Sequence, residues 1–157
     1  MRAGRILVAD DDDTIRTTLE DYFSLLGYDV VTAYDGEDAL NKFVPGEFDC
    51  IISDLMMPRI DGLELLKKVK LQHKKAMFLM MTGYPSIDNA VNAMKHGAYD
   101  YVTKPIVMED LRMKVDRMLN AKKTEDSLKT ITNLFWSLII SIPVWLVLGI
   151  ILGLVWK

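Results

Sequence analysis

Cys50-Ile51-Ile52-Ser53-Asp54-Leu55-Met56-Met57-Pro58-Arg59-Ile60-Asp61-Gly62 is the stretch whose reading decides the fold. It starts as a short apolar run, the pattern of a strand buried on both faces. The run ends on Asp54 and then breaks into a Pro/Gly loop. Asp54 is thus expected at the carboxyl end of a strand, the edge where open α/β sheets place their ligands. A lone Asp there could simply cap the next turn. The matching strand ends elsewhere in the chain give it a different meaning.

Before this stretch, Ile6 to Ala9 reads as a buried strand and runs directly into Asp10-Asp11-Asp12-Asp13. Thr14 to Leu26 carries Ile15, Leu19, Tyr22, Phe23 and Leu26 at helical spacing. Asp12 or Asp13 serves as its N-cap and Gly27 as its stop. Asp29 to Ala33 is a second strand, and Asp35-Gly36 turns into a helix that ends near Pro45-Gly46. After the central stretch, Leu63 to Leu71 is helical, with Leu66 and Val69 inward and Lys67, Lys68 and Lys70 outward. Ala76 to Met81 is a fourth strand followed by Thr82-Gly83. Ser86 to His96 is a helix with Ile87, Ala90, Val91 and Met94 on one face. Ala98 to Thr103 is a fifth strand ending on Lys104-Pro105, and a last helix starts near Met108. Five short apolar strands alternating with five helices predict an α/β fold with a doubly wound, five-stranded parallel sheet.

Such a sheet gathers Asp10, Asp11, Asp54, Thr82 and Lys104 along one edge. Two carboxylates ~4 Å apart repel by about 4 kcal/mol at an effective dielectric near 20, so a cation belongs among them. An all-oxygen donor set with no His or Cys points to a hard ion, Mg²⁺, keeping some of its waters. Lys104 adds an ammonium and Thr82 a hydroxyl. A carboxylate nucleophile, a divalent metal, an ammonium and a hydroxyl are the parts of a phosphoryl-transfer site.

Val8-Ala9-Asp10-Asp11-Asp12, Asp54-Leu55-Met56-Met57-Pro58-Arg59-Ile60-Asp61-Gly62, Met81-Thr82-Gly83-Tyr84 and Tyr101-Val102-Thr103-Lys104-Pro105 together resemble the receiver domain of bacterial two-component response regulators. The likeness covers about residues 4–121. It implies a (βα)5 flavodoxin-like receiver in which Asp54 accepts phosphoryl from a phosphohistidine. The donor would be a sensor histidine kinase or phosphotransfer protein. It also implies direct Mg²⁺ ligation by Asp11, Asp54 and the backbone carbonyl of Met56, with Asp10 acting through water. Thr82 and Lys104 would grip the phosphoryl oxygens, and Tyr101 would be the rotating aromatic of the switch. Such a chain is a phosphoacceptor switch rather than an enzyme with a separate substrate. Met56 and Tyr84 are bulky and lack a carboxylate or amide to orient an attacking water, so slow self-dephosphorylation is expected.

Asp10-Asp11-Asp12-Asp13-Thr14 also fits the DxDxT signature of haloacid-dehalogenase-like phosphatases, with Asp10 as nucleophile. Those enzymes need a further strand ending in paired acids after the Lys, where Glu109-Asp110 opens a helix here. A membrane-tethered scaffold or docking protein is the other alternative.

All 22 acidic residues precede residue 127, and all but one of the 19 Lys and Arg precede residue 134. This mildly acidic body has no basic footprint for nucleic acid. One cysteine excludes an internal disulfide framework and suits a reducing compartment. Residues 134–156 carry no charge, and 15 of these 23 are Leu, Ile, Val or Phe. As a helix they would reach ~34 Å, enough for a ~30 Å hydrocarbon core. The expected organisation is therefore a receiver over 1–121, a juxtamembrane linker or helix extension over 122–133, and one C-terminal transmembrane helix over 134–156. Five Lys and Arg between Lys114 and Lys129, against Lys157 alone beyond, put the receiver on the cytoplasmic side of the inner membrane as a single-pass tail anchor. Gly149 and Gly153 lie four apart on one face, which makes a homodimer possible. A downstream protein partner is implied but not named by the residues.

Overall fold

The computed structural model describes residues 4–84 and 86–122, together with 124, 132, 135–137 and 139. The chain divides into two compact units, Met1–Leu119 and Asn120–Lys157. In the first, β1 (Gly4–Ala9), β2 (Tyr28–Ala33), β3 (Cys50–Asp54), β4 (Phe78–Thr82) and β5 (Asp100–Thr103) form one parallel sheet in the order β2-β1-β3-β4-β5. Between them run α1 (Asp13–Leu25), α2 (Gly36–Lys42), α3 (Gly62–Gln72) and α4 (Ile87–Lys95). A fifth helix, α5, starts at residue 108 and occupies 108–119 of this unit. The doubly wound five-stranded sheet is as expected, and among the described residues no strand follows Lys104. The phosphatase alternative requires one.

Alternation along each strand builds two cores. Leu7, Ala9 and Ile51 face one layer with Leu65, Leu66 and Val69 of α3. Ile6, Val8, Cys50 and Ile52 face the other, with Leu19 and Phe23 of α1 and Leu111, Val115 and Met118 of α5. Cys50 is a buried core thiol. Helices α1 to α4 each open on a side-chain cap. Asp12, Asp35, Asp61 and Ser86 accept backbone N–H groups at the starts of α1, α2, α3 and α4. Such caps stabilise a helix by ~1 kcal/mol each.

The bounds of β4 and β5 shift, to Phe78–Thr82 and Asp100–Thr103, and the burial of α4 does not follow its apolar stripe. The fifth strand begins at Asp100 rather than Ala98, because Gly97 (φ +95°) and Ala98 close α4 and turn the chain. The apolar face of α4 is not a core face. Only Ala93 is buried, while Ile87, Val91 and Met94 are exposed.

In the second unit the described residues are helical, and Phe135, Trp136 and Ile139 expose their side chains. Among the described residues no helix is long and apolar enough to cross a membrane. The span expected over 134–156, with Gly149 and Gly153, lies almost wholly outside the described residues.

Candidate functional site

Strand register assembles the site. Ala9 pairs with Ser53, so the next positions, Asp10 and Asp54, stand side by side at the carboxyl edge. Thr82 pairs with Thr103 at the ends of β4 and β5, which places Lys104 one step beyond. Backbone bonds from Leu55 N–H to Met81 O (2.7 Å) and from Lys104 N–H to Thr82 O (2.8 Å) carry the ladder past the strand ends. The edge is therefore rigid where the functional residues leave it.

Asp10, Asp11 and Asp54 each offer a carboxylate oxygen, and these oxygens lie within 4.8 Å of one another. Asp10 is fully buried and Asp54 nearly so, while Asp11 is exposed. The Lys104 ammonium donates to Asp10 Oδ2 at 2.7 Å and stands 3.2 Å from Asp54 Oδ1. That second contact is an ion pair without a directed hydrogen bond, since Asp54 Oδ1 is enclosed and accepts none. Burial pushes the Asp54 carboxyl above the usual carboxylate range; Lys104 pulls it down and Asp10 pushes it up again. For Lys104, burial opposes the charge, but the hydrogen bond and charge of Asp10 and the charge of Asp54 outweigh it, leaving its pKa raised. Asp12, by contrast, spends its carboxylate on the amides of Ile15 and Thr14, which hold it below the ordinary range. It is a cap and not a general acid.

Of the expected site residues, Asp10, Asp11, Asp54 and Lys104 lie together, while Thr82 and Tyr101 turn to other partners. The Thr82 hydroxyl is fully buried and accepts the Tyr84 N–H at 3.1 Å, so here it serves its own loop. The half-buried Tyr101 packs against the core cluster of α3, and its hydroxyl is enclosed without a hydrogen-bond partner. Met56 and Tyr84 are exposed at the rim.

One supporting device was not legible beforehand. Arg59, in left-handed backbone (φ 64°), forms an ion pair with the buried Asp35. It also approaches Glu37 at 3.5 Å and lies over the Tyr34 ring at 5.1 Å. This fastens the loop between Asp54 and Gly62 to the start of α2. Two glycines permit the closeness. A Cβ on Gly36 would stand 2.3 Å from Ile60 O, and one on Gly62 only 2.1 Å from Asp54 O. Asp-Gly before α2 and α3 is the only trace of this in the sequence.

An acidic trio paired with a lysine on the carboxyl edge of a 2-1-3-4-5 sheet defines a class of α/β protein that handles phosphoryl groups at a carboxylate. The family model for the response regulator receiver domain matches residues 6–116, and the chain belongs to that family. It is similar to the regulatory protein AtoC of Escherichia coli, 33% identical over 126 residues, 80% of this chain and 27% of that one. It is 34% identical to the response regulator MprA of Mycobacterium avium, over 83% of this chain and 58% of that one. The chain thus spans about a quarter to three-fifths of these relatives. A receiver domain protein from Clostridium thermocellum superposes with TM-score 0.74 at 32% identity, covering 77% of this chain and 98% of that one. A CheY-like receiver protein from Methanospirillum hungatei gives the same TM-score and identity, covering 78% and 98%. The chain is a two-component receiver and, as such, a phosphoacceptor signalling switch.

Proposed function

We propose that Asp54 is the acceptor and that its donor is the phosphohistidine of a sensor histidine kinase or phosphotransfer protein. One Asp54 oxygen attacks phosphorus, the P–N bond breaks, and the imidazole leaves with its electron pair. What supports this reading is one observation: a nearly buried carboxylate, with an enclosed oxygen that accepts no hydrogen bond, beside two more acids and a lysine. The oxygen-only donor set fits Mg²⁺ held by Asp11, Asp54 and the Met56 carbonyl, with Asp10 behind a water. Bound there, Mg²⁺ would neutralise the acids and the incoming phosphoryl oxygens. Lys104 would follow the new phosphate, Thr82 would turn its hydroxyl to it, and Tyr101 would register that movement. Acetyl phosphate with Mg²⁺ should add one phosphoryl group to the wild type and none to Asp54→Asn. Equal labelling of both would remove the assignment.

We further propose that residues 134–156 tether the receiver to the cytoplasmic face of the inner membrane. The support is the uncharged, strongly apolar composition of that segment and the bias of Lys and Arg before it. Recovery of the full chain in the soluble fraction after carbonate washing would overturn the tether.

A further inference from the structure

The edge of the sheet opposite Asp54 carries a cluster of four lysines. A groove of about 540 Å³ opens there between the ends of α3 and α4. Its lining includes Lys67, Lys70, Leu71, Lys74, Lys95 and His96, and no acidic residue. Among the described residues, none of these four lysines has a carboxylate partner. Glu64, the nearest acid on α3, is taken by Lys68 at 3.4 Å. On a chain of net charge −3, such a concentration is local and uncompensated.

The groove is also partly fixed. Lys70 is half-buried and donates to Ala76 O at 2.7 Å, which pins its ammonium in the floor. Gly97 leaves the space for this, since a Cβ there would stand 3.2 Å from Lys70 Cε. His96 Nδ1 lies 2.8 Å from Asn92 O, a carbonyl that can only accept. Nδ1 therefore carries the proton and Nε2 is left for the groove. Beside the lysines, Leu71 is 87% exposed. Ammonium groups around a protruding apolar side chain are suited to a membrane surface, where charge meets headgroups and the leucine meets the acyl boundary.

A second observation gives the direction. Asp116 on α5 accepts from the hydroxyl of Tyr28, and Lys114 pairs with Asp100. Tyr28 and Asp100 are the first residues of β2 and β5. By residue 119 the chain has therefore reached the same edge as the groove, opposite the phosphoacceptor.

We propose that this groove binds the phosphate-bearing headgroups of anionic lipids, holding the receiver against the bilayer with its acidic site turned away. The proposal rests on the tether inferred above, and its test separates the two. The full-length chain is reconstituted into vesicles of phosphatidylcholine alone or with phosphatidylglycerol, and a water-soluble amine reagent labels its lysines. Labelling of Lys67, Lys74 and Lys95 should slow about five-fold on the anionic vesicles and recover in high salt. In Lys67→Gln/Lys74→Gln, labelling of Lys95 should no longer respond to phosphatidylglycerol, while acetyl phosphate still labels Asp54. A chain that embeds in both vesicles with equal labelling overturns the groove and leaves the tether. A chain that joins only anionic vesicles, with these lysines protected, supports the groove and removes the tether. A chain that joins neither removes both. Equal protection by free glycerol phosphate would mean a soluble phosphoanion, and stronger protection by polyglutamate an acidic protein. Either result overturns the lipid proposal.

Discussion

The Lys104 ammonium and the Asp54 carboxylate stand 3.2 Å apart, although β4 lies between their strands. Lys104 also answers the fully buried Asp10, so one cation balances two acids that the fold has removed from water. Lys104→Met should therefore lower stability by ~3 kcal/mol in Mg²⁺-free buffer at neutral pH, because it leaves buried carboxylates unpaired. Urea denaturation measures this. An unchanged midpoint would mean that the acids are solvated and the pair is incidental.

Asp54 itself works against the fold when no metal is present. Burial raises its pKa above the unfolded value, so its favourable contribution is full below the ordinary carboxylate range. That contribution is lost as pH rises through the folded pKa. Asp54→Asn should then be more stable than the wild type at neutral pH, and the two should converge as pH falls below that range. Melting temperatures across a pH series without Mg²⁺ test the sign. Adding Mg²⁺ should stabilise the wild type and leave the variant nearly unmoved.

Gly62 should tolerate no side chain. Its Cβ would fall 2.1 Å from Asp54 O, a backbone atom that cannot move aside. Gly62→Ala is expected to cost about 3 kcal/mol or more and to weaken Mg²⁺ binding by displacing Asp54. Gly83→Ala is the control. Nothing lies within 4 Å of its Cβ position, and the change should stay within about 0.5 kcal/mol.

Arg59→Met should loosen the loop that carries Met56. Discounted for the half-exposed guanidinium, loss of the pair with Asp35 is worth about 2 kcal/mol. Mg²⁺ affinity, read by titration, should fall as well, and Arg59→Lys should restore only part of both because it cannot make the forked contact. Intact affinity in Arg59→Met would show that the loop holds its place without the clamp.

Met56 and Tyr84 expose bulky side chains beside the acceptor edge. Met56→Asn/Tyr84→Glu supplies polar groups that can orient an attacking water, so the aspartyl phosphate should decay faster than in the wild type. Decay of the purified phosphoprotein at constant Mg²⁺ gives the comparison, and equal or slower loss in the variant contradicts the idea.

The sheet and the residues on its edge were legible because each signal is local. An apolar run followed by Asp10, Asp54, Thr82 or Lys104 needs no knowledge of distant partners once a parallel sheet is assumed. What could not be read depends on closeness between segments. Arg59 looks like a loop cation until Asp35 is found beneath it, and Lys70 looks solvated until Ala76 O is found within reach. The spacing of Ile87, Val91 and Met94 was misleading for a physical reason. An apolar stripe shows that a helix has a preferred face, but not whether this unit covers it.

The ladder bonds at the strand ends carry a consequence for how this chain can go wrong. A one-residue slip between parallel strands would turn two cores inside out, and the fold would forbid it. A two-residue slip keeps every inward residue inward and would leave a sheet that still packs. It would also move a strand by ~6.6 Å and pull Asp54 away from Asp10, whose oxygens the native pairing keeps within 4.8 Å. The bonds of Asp10 N–H to Ala33 O, Leu55 N–H to Met81 O and Lys104 N–H to Thr82 O sit at the one place where such a slip is felt first. A misaligned molecule of this kind would keep its helicity and compactness and yet accept no phosphoryl group from acetyl phosphate. Phosphorylation stoichiometry, rather than any spectroscopic measure of folding, is therefore the sensitive gauge of a correctly threaded chain.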